Sequence, residues 1–358
     1  MTTRKSTARP EDRIFFGLSI GSATLIMVIL AAVALFLIVK AMPAIVANWQ
    51  TGDLASGTTA GHENFWGYVA PLIWGTVFVS AIALVIGAPV AIGIALFISH
   101  YAPRRLAGIL GYLVDLLAAV PSVVFGLWGI FVIRSFLLPF EHWLNANLGW
   151  IPIFAGPATS TGSTILAGAV VLAVMILPII TSISREIFLQ TPRLHEEAAL
   201  ALGATKWETI RLAVFPYARS GVVSAILLGL GRALGETMAI ALIISPSLKF
   251  WVSILTDSQN SQTIAANLAL NFPESNELQR DALIGTGLML FVISLAVNFF
   301  ARAILTRTGQ GAKRRQAAAT PAVDTSIAGN PTSDAAVESI VAAETLSPAA
   351  RARRDGAE

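Results

Sequence analysis

The residues able to do chemistry fall in two places. The first is GLGRALGETMAI, residues 229–240, where Arg232 and Glu236 are embedded in an apolar run. A charge at the bilayer centre costs roughly 2.5–3.5 kcal/mol on insertion scales, so such residues face a protein interior or a wet cavity. The i, i+4 spacing predicts that both lie on one helical face and neutralise each other. Ionisable residues held inside a span are functional candidates by default. The alternative is a structural ion pair that locks two helices together. Gly231 and Gly235 add a spacing that lets another helix approach closely. The glycines are not a dinucleotide fingerprint, because GLGRALG is one residue too long and no strand precedes it.

The second place is TPRLHEEAALALGATKWETIRLAVFP, residues 191–216, a polar island in an apolar chain. Its pattern predicts two short helices. Thr191 is expected to cap the first, with Pro192 at its first position, where a missing N–H is harmless. Glu196 and Glu197 then lie where negative charge suits the helix dipole. Gly203 is placed to take the left-handed conformation that stops a helix. Thr205 and Glu208 have capping-box spacing, and Pro216 marks the expected next break. Such a hairpin carries no reaction of its own. It is either a surface for another protein or an ordinary amphipathic turn between two spans.

Other chemistry finds no support. The four histidines, His62, His100, His142 and His195, are scattered, and there is no cysteine. No GxxxxGK[ST] loop is present to cradle nucleotide phosphates, and no HExxH to hold zinc. The serines lack a neighbouring histidine and acid in a nucleophilic arrangement. Asp115 reads as a structural partner for a buried basic group.

The elements that must position these residues are membrane spans. Apolar residues make up 55% of the 358 and charged residues only 13%, against about 25% charged in an average soluble domain. Six runs are long enough to cross a bilayer, for which about 20 residues suffice. They are 14–39, 69–98, 106–133, 164–184, 220–244 and 281–305. The first is too long for a signal-peptide core and is expected to be an uncleaved span. Trp49, Trp66 and Tyr68 are placed like interfacial aromatics, and Trp143 and Trp150 fall in an outer loop, 135–163, without Lys or Arg. The N-terminus, residues 104–105, 185–219 and 302–315 carry sixteen Lys and Arg; the three opposite loops, with Arg134 included, carry four. The excess belongs in the cytoplasm, which places both termini and the 191–216 hairpin there. Residues 1–13 form the cytoplasmic N-terminus. Residues 309–358, rich in Ala, Thr, Ser and Pro, are expected to be a disordered cytoplasmic tail. The net charge of +3 sets orientation and gives no reason to expect nucleic acid.

The hairpin resembles the cytoplasmic EAA loop of the membrane subunits of binding-protein-dependent ABC importers. Glu197, Ala198, Ala199, Gly203 and Pro216 carry the likeness, while Ala213 and Phe215 stand where the pattern has Ile and Leu. RALGETMA following that loop is similar to the PstC family, one of the two membrane subunits of phosphate-specific ABC importers. The likeness covers roughly residues 14–308 and is strongest over 191–244. It implies an all-α polytopic protein with six transmembrane helices in the type I (MetI-like) permease fold. It implies that Glu196, Glu197, Ala198, Ala199, Gly203 and Pro216 belong to the ATPase-coupling loop and Arg232 and Glu236 to a translocation path. It implies the plasma (inner) membrane and no resident cofactor, with ATP bound by a partner. The implied partners are a PstA-like second permease, a PstB-like ATP-binding dimer, a PstS-like extracytoplasmic phosphate-binding protein, phosphate and lipid. The other readings are a permease for sulfate or molybdate, or an ion-coupled secondary transporter in which Arg232 and Glu236 form a relay.

Overall fold

The computed structural model describes residues 10–50, 54, 56–59, 61–257 and 259–319. The chain divides into two units, Met1–Leu305 and Thr306–Glu358. The expected N-terminal segment and tail fall largely on residues 1–9 and 320–358, outside the described residues. Residues 309–319, expected in the tail, are helical.

The described elements are almost entirely helical. Among the described residues, six helices are long and apolar enough to cross a membrane. Helix α1, Pro10–Val46, leaves its strongest apolar stretch wholly unburied. Helix α2, Phe65–Leu96, begins at Asn64, whose side chain accepts from the Gly67 N–H, and ends in a π turn at Phe97–Tyr101. Helix α6, Ile165–Leu189, is capped by Thr164 and is the most buried span. α2 and α6 meet along small residues. A Cβ at Gly87 would lie 3.1 Å from the Ala173 carbonyl oxygen. The Thr181 hydroxyl donates to the Ala91 carbonyl at 3.2 Å. Close backbone approach and an interhelical hydrogen bond are what hold helices together when lipid is as apolar as leucine.

The third span differs from the expected 106–133. Helix α3, Arg104–Ala118, stops early, and α4, Ser122–Trp128, starts after Pro121. A π turn, Gly129–Ile133, joins α4 to α5, Arg134–Leu148. The membrane-length helix is therefore Ser122–Leu148. Pro121 disfavours helical geometry in the residue before it and lacks a donor; hydropathy does not register that break. The 15 residues of α3 reach about 22 Å at 1.5 Å per residue, short of a ~30 Å hydrocarbon core. Asp115 lies on its exposed side with no ion pair among the described residues, so it is not a buried partner.

Two of the expected interfacial aromatics are core residues. Trp49 and Tyr68 are 2% and 0% exposed and pack with Phe65 and Leu72 against Ala282 and Leu283. The Trp49 indole donates to the Ala44 carbonyl at 2.8 Å, which satisfies its one polar atom. After the short α11, Ile264–Asn271, Ala282 and Leu283 belong to α12, Glu277–Ala319, whose apolar part, Glu277–Phe300, is the sixth membrane-length helix.

Candidate functional site

The hairpin forms with one shift at its start. Helix α7, Arg193–Ala201, is preceded by Pro192 in extended geometry, so Pro192 and not Thr191 takes the cap position. The Thr191 hydroxyl is buried with no partner among the described residues. Gly203 has φ +85°, and its N–H donates to the Leu200 carbonyl at 2.9 Å. Thr205 and Glu208 make the reciprocal capping box of α8, Lys206–Thr209. Pro216 does not end a helix. A π turn, Ile210–Val214, sits directly before α9, Phe215–Leu234, and shifts the hydrogen-bond register. Pro216 thereby falls in the first turn of a fresh α segment, where no N–H is needed. The span is Lys206–Leu234, not 220–244. The second hairpin helix thus runs straight into the membrane.

No residue of α7 is buried. Leu194 is 78% and Leu202 90% exposed, and Trp207 is exposed beside them. His195, Ala198, Ala199, Gly203 and Glu208 line an open cleft of about 730 Å³. Glu197 points to solvent. The hairpin is capped and ordered, and it leaves large apolar side chains uncovered in this chain.

The end of the second span steadies this surface, through residues that local pattern had not marked for the role. Glu196 Oε1 lies 3.6 Å from His100 Nε2, and the Lys206 ammonium sits 5.1 Å from the Tyr101 ring centroid. One contact therefore reaches each hairpin helix. A cation–π contact at a surface is worth about 0.5–1 kcal/mol. The double variant His100→Ala/Tyr101→Leu should accelerate amide hydrogen exchange in 193–209 by about tenfold, as expected for losing roughly 1.4 kcal/mol of local stability. Unchanged exchange there would show that these contacts do not steady the hairpin.

The intramembrane pair is arranged differently from the expected ion pair. α9 stops at Leu234, and α10, Met238–Ile243, begins after Gly235–Thr237. The break separates Arg232 from Glu236, and the two form no ion pair among the described residues. Glu236 is 8% exposed and accepts from the Ala239 N–H at 3.2 Å. Thr237 holds the cap position of α10, and the Glu236 carboxylate just before it takes a first-turn N–H, where the helix dipole favours an anion. Arg134, on α5, donates from its guanidinium to the Leu242 and Ile243 carbonyls at the other end. A short helix is thus bracketed by opposite charges matched to its dipole. A Cβ at Gly126 on α4 would lie 3.0 Å from the Ala239 Cα, so α4 packs tightly on it. Arg232 is left over. It is half-buried, and its Nε is buried with no hydrogen-bond partner among the described residues.

On the far side of α10, the connecting loops are pinned by Asp257. Its Oδ2 accepts from the Thr159 hydroxyl at 3.0 Å, the Thr161 hydroxyl at 3.2 Å and the Ser160 N–H at 3.4 Å. Partial burial pushes its pKa up, but these donors outweigh burial and hold it below the ordinary aspartate value. A lowered folded-state pKa means the clamp is complete above the ordinary value of 3.8 and is lost as pH falls through the lowered one. Asp257→Asn should raise hydrogen exchange in 159–164 at neutral pH. It should also remove the acid-dependent loosening that the unaltered chain shows below that value. Equal protection of 159–164 at neutral pH and below that value in the unaltered chain, each taken relative to the intrinsic exchange rate at that pH, would refute the clamp.

Among the described residues no group of three His, Cys, Asp or Glu side chains could hold a metal ion. Comparison with known proteins agrees with the helical architecture. Residues 87–310 match the family model described as binding-protein-dependent transport system inner membrane component. The chain is 46% identical over 301 residues to the phosphate transport system permease protein PstC 2 of Mycobacterium tuberculosis, covering 83% of this chain and 92% of that protein. It is 45% identical over 275 residues to the PstC of Mycobacterium leprae, covering 76% and 86% respectively. A crystal structure of a bacterial ABC transporter involved in alginate import contains a chain sharing the fold. The TM-score is 0.54 and the identity 15%, over 83% of this chain and 96% of that one. With six membrane-length helices, this all-α multi-pass chain belongs to the inner membrane component family of binding-protein-dependent transport systems.

Proposed function

We propose that this chain is the PstC-type permease subunit of an importer that moves inorganic phosphate across the inner membrane. The observation that carries the reading is the hairpin 191–216: ordered, capped, unburied along α7 and continuous with a membrane span. A partner that binds such an elbow can move the span it is part of. The phosphate assignment is supported by the names of the PstC relatives.

In this reading ATP hydrolysis belongs to a PstB-like dimer whose clefts receive Glu196, Glu197, Ala198 and Ala199. Gly203 fixes the hairpin angle, and the register shift before Pro216 lets the push travel into α9. A PstA-like subunit supplies the other half of the path. A PstS-like binding protein delivers phosphate at the side of Asp257. Both termini lie in the cytoplasm, the side of the basic excess. Glu236 holds the break at Gly235 open by taking a first-turn N–H of α10, which leaves the Arg232 guanidinium free to meet an anion. Arg232 and Glu236 form the translocation path in this reading, with no cofactor on this chain.

The test is co-purification with the three partners, followed by radiolabelled phosphate and sulfate uptake into vesicles with ATP inside. Phosphate uptake that requires both ATP and the binding protein supports the reading. Sulfate uptake in its place reassigns the substrate, and transport by this chain alone would refute coupling to a separate ATPase.

A further inference from the structure

Arg232 does not face its surroundings alone. It lines a cavity of about 720 Å³ with Ser224, Leu228, Asn298 and Arg302. Ser224, Leu228 and Arg232 are spaced i, i+4, i+8 and form one stripe of α9. Asn298 and Arg302 have the same spacing on α12, which forms the facing wall. Among the described residues no acidic side chain lines this cavity, and neither arginine is in an ion pair. Two guanidiniums sharing one cavity without an anion repel each other. Arg232 is half-buried, so solvent screens that repulsion only in part. The arrangement is costly until an anion arrives between them. The polar groups match the need of one: guanidinium forks donate in pairs to an oxyanion, and the Asn298 amide can supply a further donor, while the Ser224 hydroxyl is already given to the Ser220 carbonyl at 2.9 Å.

We propose that Arg302, with Asn298, is the second half of an oxyanion site whose first half is Arg232, and that it holds a phosphate group between α9 and α12. The inference rests on the proposed phosphate path. Arg232 supplies a buried, unpartnered donor edge, and Arg302 supplies charge from an exposed and more adaptable position. A site with one fixed and one mobile cation binds and then releases, as conduction requires. A phosphate group can come from the transported ion or from an anionic lipid headgroup, and both present the same oxygens to this cavity.

The experiment uses the whole importer in vesicles of neutral lipid, and in parallel vesicles containing phosphatidylglycerol. The variants are Arg302→Gln and Arg302→Lys. If the transported ion is the occupant, Arg302→Gln lowers phosphate uptake in neutral vesicles about tenfold or more, the scale of losing one charge-assisted contact. Arg302→Lys recovers part of it. ATP hydrolysis stimulated by the loaded binding protein stays within about twofold, because the hairpin is untouched. If a headgroup is the occupant, uptake is unchanged, but phosphatidylglycerol raises the melting temperature of the unaltered importer and not of Arg302→Gln. Should Arg302→Gln change neither uptake nor the lipid effect, the site is refuted. Absence of phosphate uptake by the unaltered importer would instead refute the phosphate path itself. Co-purification of Arg302→Lys with all partners shows that the helix still assembles.

Discussion

Arg232→Gln is expected to cut ATP-driven phosphate uptake by about ten- to hundredfold, the effect of losing a charge-assisted contact of roughly 1.5–3 kcal/mol. It should do so without lowering the melting temperature. The second half of this expectation comes from the geometry. Arg232 makes no ion pair, and its buried Nε has no partner among the described residues, so replacing it breaks no described intramolecular bond. Removing an uncompensated charge from a half-buried site is stabilising or neutral. Arg134→Gln is the reciprocal control. Arg134 holds the Leu242 and Ile243 carbonyls at the end of α10, and its loss should lower stability. A residue kept at the expense of stability is one whose work appears only when substrate is present. Uptake assays and thermal unfolding of the same preparations separate the two arginines. Normal uptake by Arg232→Gln would remove it from the path, and a large drop in its melting temperature would recast it as a structural residue.

The separation of these two arginines also marks where local pattern stops being informative. The run 229–240 reads as one helix because its hydropathy is continuous. Gly235 breaks it, and the break turns a supposed ion pair into a carboxylate at a helix start and a free cation. Arg134 reads as a loop residue because Pro121 is hidden within an apolar run. Once Pro121 divides α3 from α4, Arg134 moves into the span and reaches carbonyls 108 and 109 residues further on. Arg302 lies 70 residues after Arg232 in the chain, and no periodicity links them; only packing of α12 near α9 does. The hairpin was legible for the opposite reason. Its capping box and left-handed glycine are contacts within four residues, written wholly in local sequence. Its misplacement at the start, Thr191 for Pro192, is a shift of a single residue. Pro216 misled because the π turn that absorbs it has no composition of its own. Trp49 and Tyr68 misled because an amphipathic aromatic suits a membrane surface and a hydrogen-bonded core equally well.

Gly203→Pro should separate ATP hydrolysis from transport. Gly203 is held at φ +85°, and proline is locked near −65° and has no N–H to give the Leu200 carbonyl. The hairpin angle that places α7 against α8 then cannot form. Because α7 buries none of its residues, the membrane bundle keeps its packing and the variant should still insert and assemble. The partner ATPase is expected to hydrolyse ATP while phosphate uptake falls to background. A graded series makes the cause specific. Nothing lies within 4 Å of a Cβ built at Gly203, so any penalty there is torsional and not steric. Asparagine tolerates the left-handed region, while alanine is strained by roughly 1–2 kcal/mol. The ratio of phosphate moved to ATP hydrolysed should therefore fall in the order Gly, Asn, Ala, Pro, although alanine is the smallest of the three replacements. An order that followed side-chain size instead would mean the loop acts through the surface it presents. Full coupling in Gly203→Pro would mean that the angle between α7 and α8 transmits nothing.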